Sequence, residues 1–288
     1  MHVVRLPQEL QGRQRLSFVT YPLLAVLLFV LLFAGAYHTL DPWTLNDLLE
    51  PVIDWLVAVV LALAVAVVAL LVVLRARLPA INQTNSEGLR LLALGRHGEA
   101  AAIFAAVERR HRWMWSVRIV ARWNLAMALL LQGRIDEALA GYGGLHREPY
   151  ARALAYVWEG LPSQVALCYA LRGGFAEAEG ALAEQRRRRV QTHLVSWVLP
   201  EAILHCRQGR PADAVALLEG QERALDGGGS LARAIRLVHA FALSEVGAEL
   251  QPALRAVVEG SSAADVAWAA TWPAFTAWFE GQRRGATA

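Results

Sequence analysis

The stretch GRHGEAAAIFAAV, residues 95–107, decides the fold because it comes back. GRIDEALAGYGGL begins at Gly133, GGFAEAEGALAEQ at Gly173 and GRPADAVALLEGQ at Gly209. In each copy an Ala follows the Gly by five residues: Ala100, Ala138, Ala178 and Ala214. A large residue follows four further on: Phe104, Tyr142, Leu182 and Leu218. Four residues before each Gly stand Leu91, Leu129, Tyr169 and His205, and Glu99, Glu137, Glu177 and Asp213 precede the alanines. Each position has a physical reading. The Gly lets the chain turn sharply between two helices. The acid falls in the first turn of the second helix, where the macrodipole favours negative charge. The Ala sits where two helices cross, and the large residue one turn later fills the core. A hairpin of this size cannot bury its apolar face alone, so several must stack. Residues 82–288 are therefore expected to form an all-α solenoid.

Residues 1–78 have a different texture. From Leu16 to Leu40 no residue carries a formal charge, and every residue of 55–74, WLVAVVLALAVAVVALLVVL, is apolar. At about 1.5 Å per residue, about 20 residues cross the hydrocarbon of a bilayer. A two-helix transmembrane hairpin is expected, with spans at about 17–38 and 55–75. Arg5, Arg13 and Arg15 precede the first span, and Arg75 and Arg77 follow the second. The loop between carries Asp41, Asp47, Glu50 and Asp54 instead. The positive-inside rule then puts both termini in the cytoplasm, the membrane being of the bacterial cytoplasmic type. Pro79 is expected to end the second helix. A competing reading takes Ala34–Ala36 as a signal-peptidase site, which would leave one span. Ala58, Ala62 and Ala66 form a small-residue stripe on the second span, suited to close helix packing.

The repeat pattern resembles the tetratricopeptide repeat (TPR), a helix–turn–helix unit that stacks into a superhelix. The likeness covers residues 82–222, with a fifth unit near Gly247 where Pro252 replaces the Ala. Spacings of 38, 40 and 36 between successive glycines exceed the roughly 34 of TPRs, so the hairpins should be about a turn longer. The Trp typical of the first TPR helix is absent from its usual position; Trp123 stands one residue past it. The C-terminal DVAWAATWPAFTAWFEGQRR reads as a capping helix, with Trp268, Trp272 and Trp278 in its packing.

In TPR proteins that bind peptides, one stripe of each first helix lines a concave groove. The resemblance implies that Leu89 and Leu92 in the first unit, and Trp123, Met127 and Leu130 in the second, form such a groove. Leu167 and Leu171 continue it in the third unit, and Ile203 and Arg207 in the fourth. Chaperone-binding TPRs clamp a terminal carboxylate with Lys and Asn. This chain has no Lys, and Asn124 alone matches, so tail clamping is not expected. An apolar stripe suits an amphipathic helix partner or the protein's own flanking helices.

Chemistry is sparse. All 28 basic residues are Arg, which excludes a P-loop lysine, a Schiff-base lysine and kinase-type phosphate binding. No HExxH, GxSxG or GxGxxG occurs, the eight His are scattered, and Cys168 and Cys206 fit neither a disulfide framework nor a metal site. No catalytic, cofactor or metal site is expected, and a net charge of +3 does not call for nucleic acid. Two basic clusters stand out. RRRR, 186–189, sits at a helix C-terminus, where cations are favoured and usually solvated. HRWMWSVRIVARW, 111–123, reads as a long first helix of repeat two with Trp in the packing seam. Arg–Trp interleaving also suits base stacking or an interfacial belt. The expectation is a membrane-anchored, non-enzymatic scaffold that docks protein partners at the cytoplasmic face of the membrane. The alternative is a structural subunit of a larger membrane complex or homo-oligomer, with the solenoid making inter-subunit contacts.

Overall fold

The computed structural model describes residues 42–188, 195–219, 221 and 230–287. Among the described residues the regular structure is entirely helical: eleven α-helices and two 3-10 helices, with no strand. The helices are α1 Pro42–Ala93, α2 His97–Arg110, α3 Trp115–Leu131 and α4 Ile135–Arg147. A 3-10 helix, Pro149–Ala153, then leads into α5 Ala155–Arg172, α6 Phe175–Arg187, α7 Val195–Arg207 and α8 Pro211–Glu219. After them come α9 Ser230–Glu245, α10 Pro252–Glu259, a second 3-10 helix Ala263–Ala269 and α11 Pro273–Thr287. The chain divides into two compact units between Ile81 and Asn82.

In the N-terminal unit the described structure is α1 up to residue 81. Its large apolar side chains are solvent-facing: Trp55 is 67% exposed, Leu61 59% and Val65 64%. Among the described residues no helix is long and apolar enough to cross a membrane. The first expected span, 17–38, and the Ala34–Ala36 site lie outside the described residues. One boundary is corrected: α1 does not stop at Pro79 but continues to Ala93. A proline within a helix removes its own N–H bond and crowds the carbonyl four residues back, at a cost of about 3 kcal/mol. Helix formers on both sides carry the helix through.

The second unit is the repeat stack. Gly95, Gly133, Gly173, Gly209 and Gly247 all take positive φ, from 73° to 92°. At each, the residue after the Gly donates its N–H to the carbonyl of the residue four before it: Arg96 to Leu91, Arg134 to Leu129, Gly174 to Tyr169, Arg210 to His205 and Ala248 to Leu243. This is the Schellman closure, which satisfies carbonyls left over at a helix C-terminus. Ala100, Ala138, Ala178 and Ala214 are fully buried, and Phe104, Tyr142, Leu182 and Leu218 are buried beside them. Each helix packs on the next, α2 on α3, α3 on α4, α5 on α6 and α7 on α8, while α5 also lies against α7 across the repeat boundary. This packing is compatible with a helical solenoid. The extra repeat length resides in the first helices: α3 has 17 residues and α5 has 18, against 13 in α4 and α6.

Three local expectations are corrected. The segment 111–123 is not one long helix, because α2 ends at Arg110 and α3 starts only at Trp115. The fifth unit keeps its glycine turn, but Pro252 opens α10 instead of standing in a helix crossing. There its missing N–H costs nothing, since the first helical position has no partner for it. The C-terminal cap is two elements, because Pro273 breaks the run and starts α11.

Candidate functional site

The implied groove residues do not form an open groove. Leu92, Leu130, Leu167, Leu171 and Ile203 are buried in the core; Leu89, Trp123, Met127 and Arg207 are half-buried. Trp123 meets Tyr142 edge-to-face with ring centroids 5.4 Å apart. Its Cη2 lies where a Cβ on Gly160 would approach to 3.1 Å, so it fills the seam between α3, α4 and α5. Asn124 is buried and donates to Asn85 Oδ1 at 3.0 Å, a contact that ties α1 to α3. Arg207 caps a helix. Its guanidinium donates to the carbonyls of Ala170, at 2.9 Å, and Leu171, and sits 5.6 Å above the Phe175 ring. Burial lowers its pKa from the ordinary value.

What closes over the stack is the chain's own C-terminal part. Ser230, at the start of α9, donates to the Leu92 carbonyl at 2.9 Å. The second 3-10 helix packs on α3 and α9, and the segment 263–271 crosses the glycine turns in order. Asp265 lies beside Gly95, the carbonyl of Ala267 lies over Gly133, and Thr271 donates to the Leu171 carbonyl at 2.6 Å. Ser262 and Asp265 form a capping box at its start, and Arg233 holds Asp265 at 2.5 Å. Burial pushes the Asp265 carboxyl up, but the Ser262 N–H and hydroxyl and the Arg233 guanidinium outweigh it, leaving the pKa below its usual value. Beneath this strap Trp268, Trp272, Phe275 and Phe279 are buried, and Trp272 and Phe275 both contact Phe241 of α9. Between the strap and α11 lies a cleft of about 620 Å³, apolar at Val266, Ala267 and Phe279 and charged at Glu280, Arg283 and Arg284.

The strap was not legible as such in the sequence. The only local signal is Ser262 with Asp265 three residues on, a capping-box spacing ahead of an apolar run. The acids expected to be held by the helix dipole also have a second partner. Arg96–Glu99, Arg134–Glu137 and Arg210–Asp213 are ion pairs across the turn, exposed and so screened by solvent. Arg186, Arg187 and Arg188 are paired with Glu201 and Glu184; Arg189 lies outside the described residues. Cys168 is buried and Cys206 half-buried, neither is in a disulfide, and burial pushes both thiols up to about 12. Ala58, Ala62 and Ala66 are exposed on α1.

The fold and site so described define a helical-repeat chain closed by its own C-terminal strap. Comparisons of the chain with known protein families, curated proteins and solved structures find no match.

Proposed function

We propose that this chain is a membrane-anchored helical-repeat scaffold of the TPR-like kind, with both termini in the cytoplasm. The observation that carries the reading is the apolar run 55–74, within one continuous helix that exposes Trp55, Val57, Leu61, Leu63, Val65 and Val68. An apolar patch of that size is costly in water and signals a lipid or protein surface. Arginines outside the acidic segment 41–54 supply the orientation. The scaffold part rests on the repeat stack, which offers extended surface. Leu89, Trp123 and Met127 are the apolar members of the inner stripe that the core does not fully enclose. The exposed stripe Ala58, Ala62 and Ala66 favours a second reading, a structural subunit of a membrane complex.

The test is thiol labelling in intact cells. Cys168 is buried and Cys206 half-buried, so labelling of each variant is read against that of the unaltered chain. With an impermeant reagent, Asn46→Cys should label and Ala248→Cys should label only after lysis. The opposite pattern overturns the orientation, and labelling of both without lysis overturns the anchor. Mild-detergent purification then separates the two readings: soluble partners support the scaffold, and membrane subunits in fixed ratio support the complex.

A further inference from the structure

The repeat stack has two unlike ends. The glycine-turn end is covered by the strap, as described. The opposite end carries the connections 111–114 and 148–154 and the last turn of α6. The helix of residues 82–93 starts toward this end, because its C-terminus leads into the Gly95 turn while Asn85 and Gly88 lie beside Asn124 and Phe104, part-way up α3 and α2. Here aromatic rings and guanidinium groups are interleaved. Trp113 is 57% exposed and Tyr150 54%, and Tyr150 stacks on Trp115 with centroids 5.5 Å apart. Arg118 fixes this corner by donating to the Arg112 carbonyl at 3.2 Å and to Glu148 at 2.9 Å. Farther along, Arg152 and Arg188 sit 4.9 and 4.2 Å above the Trp158 ring.

The charge is predominantly positive, with Glu159 beside Trp158 a carboxylate of this end that forms no ion pair among the described residues. Glu148 and Glu108 are taken by Arg118 and Arg122. Among the described residues Arg109, Arg110, Arg112, Arg147 and Arg152 form no ion pair with a carboxylate, and all five are exposed. A surface of uncompensated arginines around exposed Trp and Tyr matches the chemistry of a bilayer interface, where amphipathic rings settle at headgroup level and guanidinium groups meet phosphates. We propose that this end of the stack is a lipid-contact surface, with Arg109, Arg110 and Arg112 binding the phosphates of anionic lipids and Trp113 and Tyr150 seated among the headgroups. The proposal rests on the membrane reading above and adds a second, electrostatic contact.

The test uses the full chain in vesicles of phosphatidylcholine, alone or mixed with phosphatidylglycerol. A fluorophore is placed at Ala153→Cys on this end, or at Ala248→Cys on the glycine-turn end, and the lipids carry a headgroup quencher. The label at 153 should be quenched in the anionic vesicles, and less so in high salt or in neutral vesicles, while the label at 248 should not. Replacing Arg109, Arg110 and Arg112 together by Gln should abolish the difference, each arginine being worth about fivefold in local affinity. These side chains are exposed and without a carboxylate partner, so the fold survives the change; circular dichroism checks this. Equal quenching at both sites, or quenching at 153 indifferent to lipid charge and to the arginines, overturns the proposal. So does protection of the 153 label by an acidic polypeptide or RNA with no lipid quenching. Flotation of the same vesicles keeps the two readings apart. A chain that does not float fails the membrane reading, whereas one that floats with an unquenched 153 label fails only this inference.

Discussion

Gly133 shows how much a single position decides. Its φ of +77° is one that side chains rarely adopt, and a Cβ there would lie 2.5 Å from the carbonyl oxygen of Ala267. Gly209 has nearly the same φ, +74°, with nothing within 4 Å. The pair separates two costs. Gly209→Ala should lose about 1–2 kcal/mol, the strain of a left-handed L-residue. Gly133→Ala should lose clearly more, because the strap must move as well. Urea unfolding of both variants checks this, and equal losses would mean the strap does not press on the turn. The glycines were readable in the sequence because the turn is local. The carbonyl pressing on Gly133 was not, because it arrives from more than a hundred residues away.

His97 is a second such position. It is buried, its Nε2 has no hydrogen-bond partner among the described residues, and burial lowers its pKa below 6.5 despite the opposing effects of Asp265 and the Leu131 carbonyl. The folded state therefore prefers the neutral ring. Its contribution to stability is complete above about pH 6.5, and it declines as the pH falls from there toward the folded pKa, because the unfolded chain takes up the proton first. His205, also lowered by burial and by Arg210, acts in the same direction. Thermal melting at pH 7.5, 6.5 and 5.5 should show a falling midpoint, and His97→Gln should flatten the fall. An unchanged slope in His97→Gln would remove this histidine from the account.

At the scale of elements, the repeat register located the five glycine turns, since the spacing of Gly, Ala and a large apolar residue records one helix crossing after another. It did not say which faces are free. The inner stripe of a helical-repeat stack is a groove only when nothing fills it, and here Leu92, Leu171 and Ile203 are sealed. The covering segment 263–271 has 3-10 geometry and no helical periodicity, so pattern reading merged it with α11 into one capping helix. Trp123 is where groove and core readings part. Its ring is wedged against Tyr142 and Gly160, so Trp123→Ala should lower the stability of the repeat stack by about 3 kcal/mol, the low end for a Trp truncation because the ring is only half-buried. Circular dichroism melting measures it. A melt within error of the parent's, together with lost partner capture, would instead make Trp123 a surface anchor.

The chain joins two units that treat their apolar side chains differently. The repeat stack places Phe104, Tyr142, Phe275 and Trp268 inside, whereas α1 turns Trp55, Leu61, Val65 and Val72 outward. A water-soluble chain would not expose so many apolar side chains on one helix, and a lipid surface removes the cost. Extraction of whole membranes with alkaline carbonate, which strips proteins held only by charge, tests this most directly. The full chain should remain in the pellet. Recovery of the unaltered chain in the supernatant would contradict the membrane anchor.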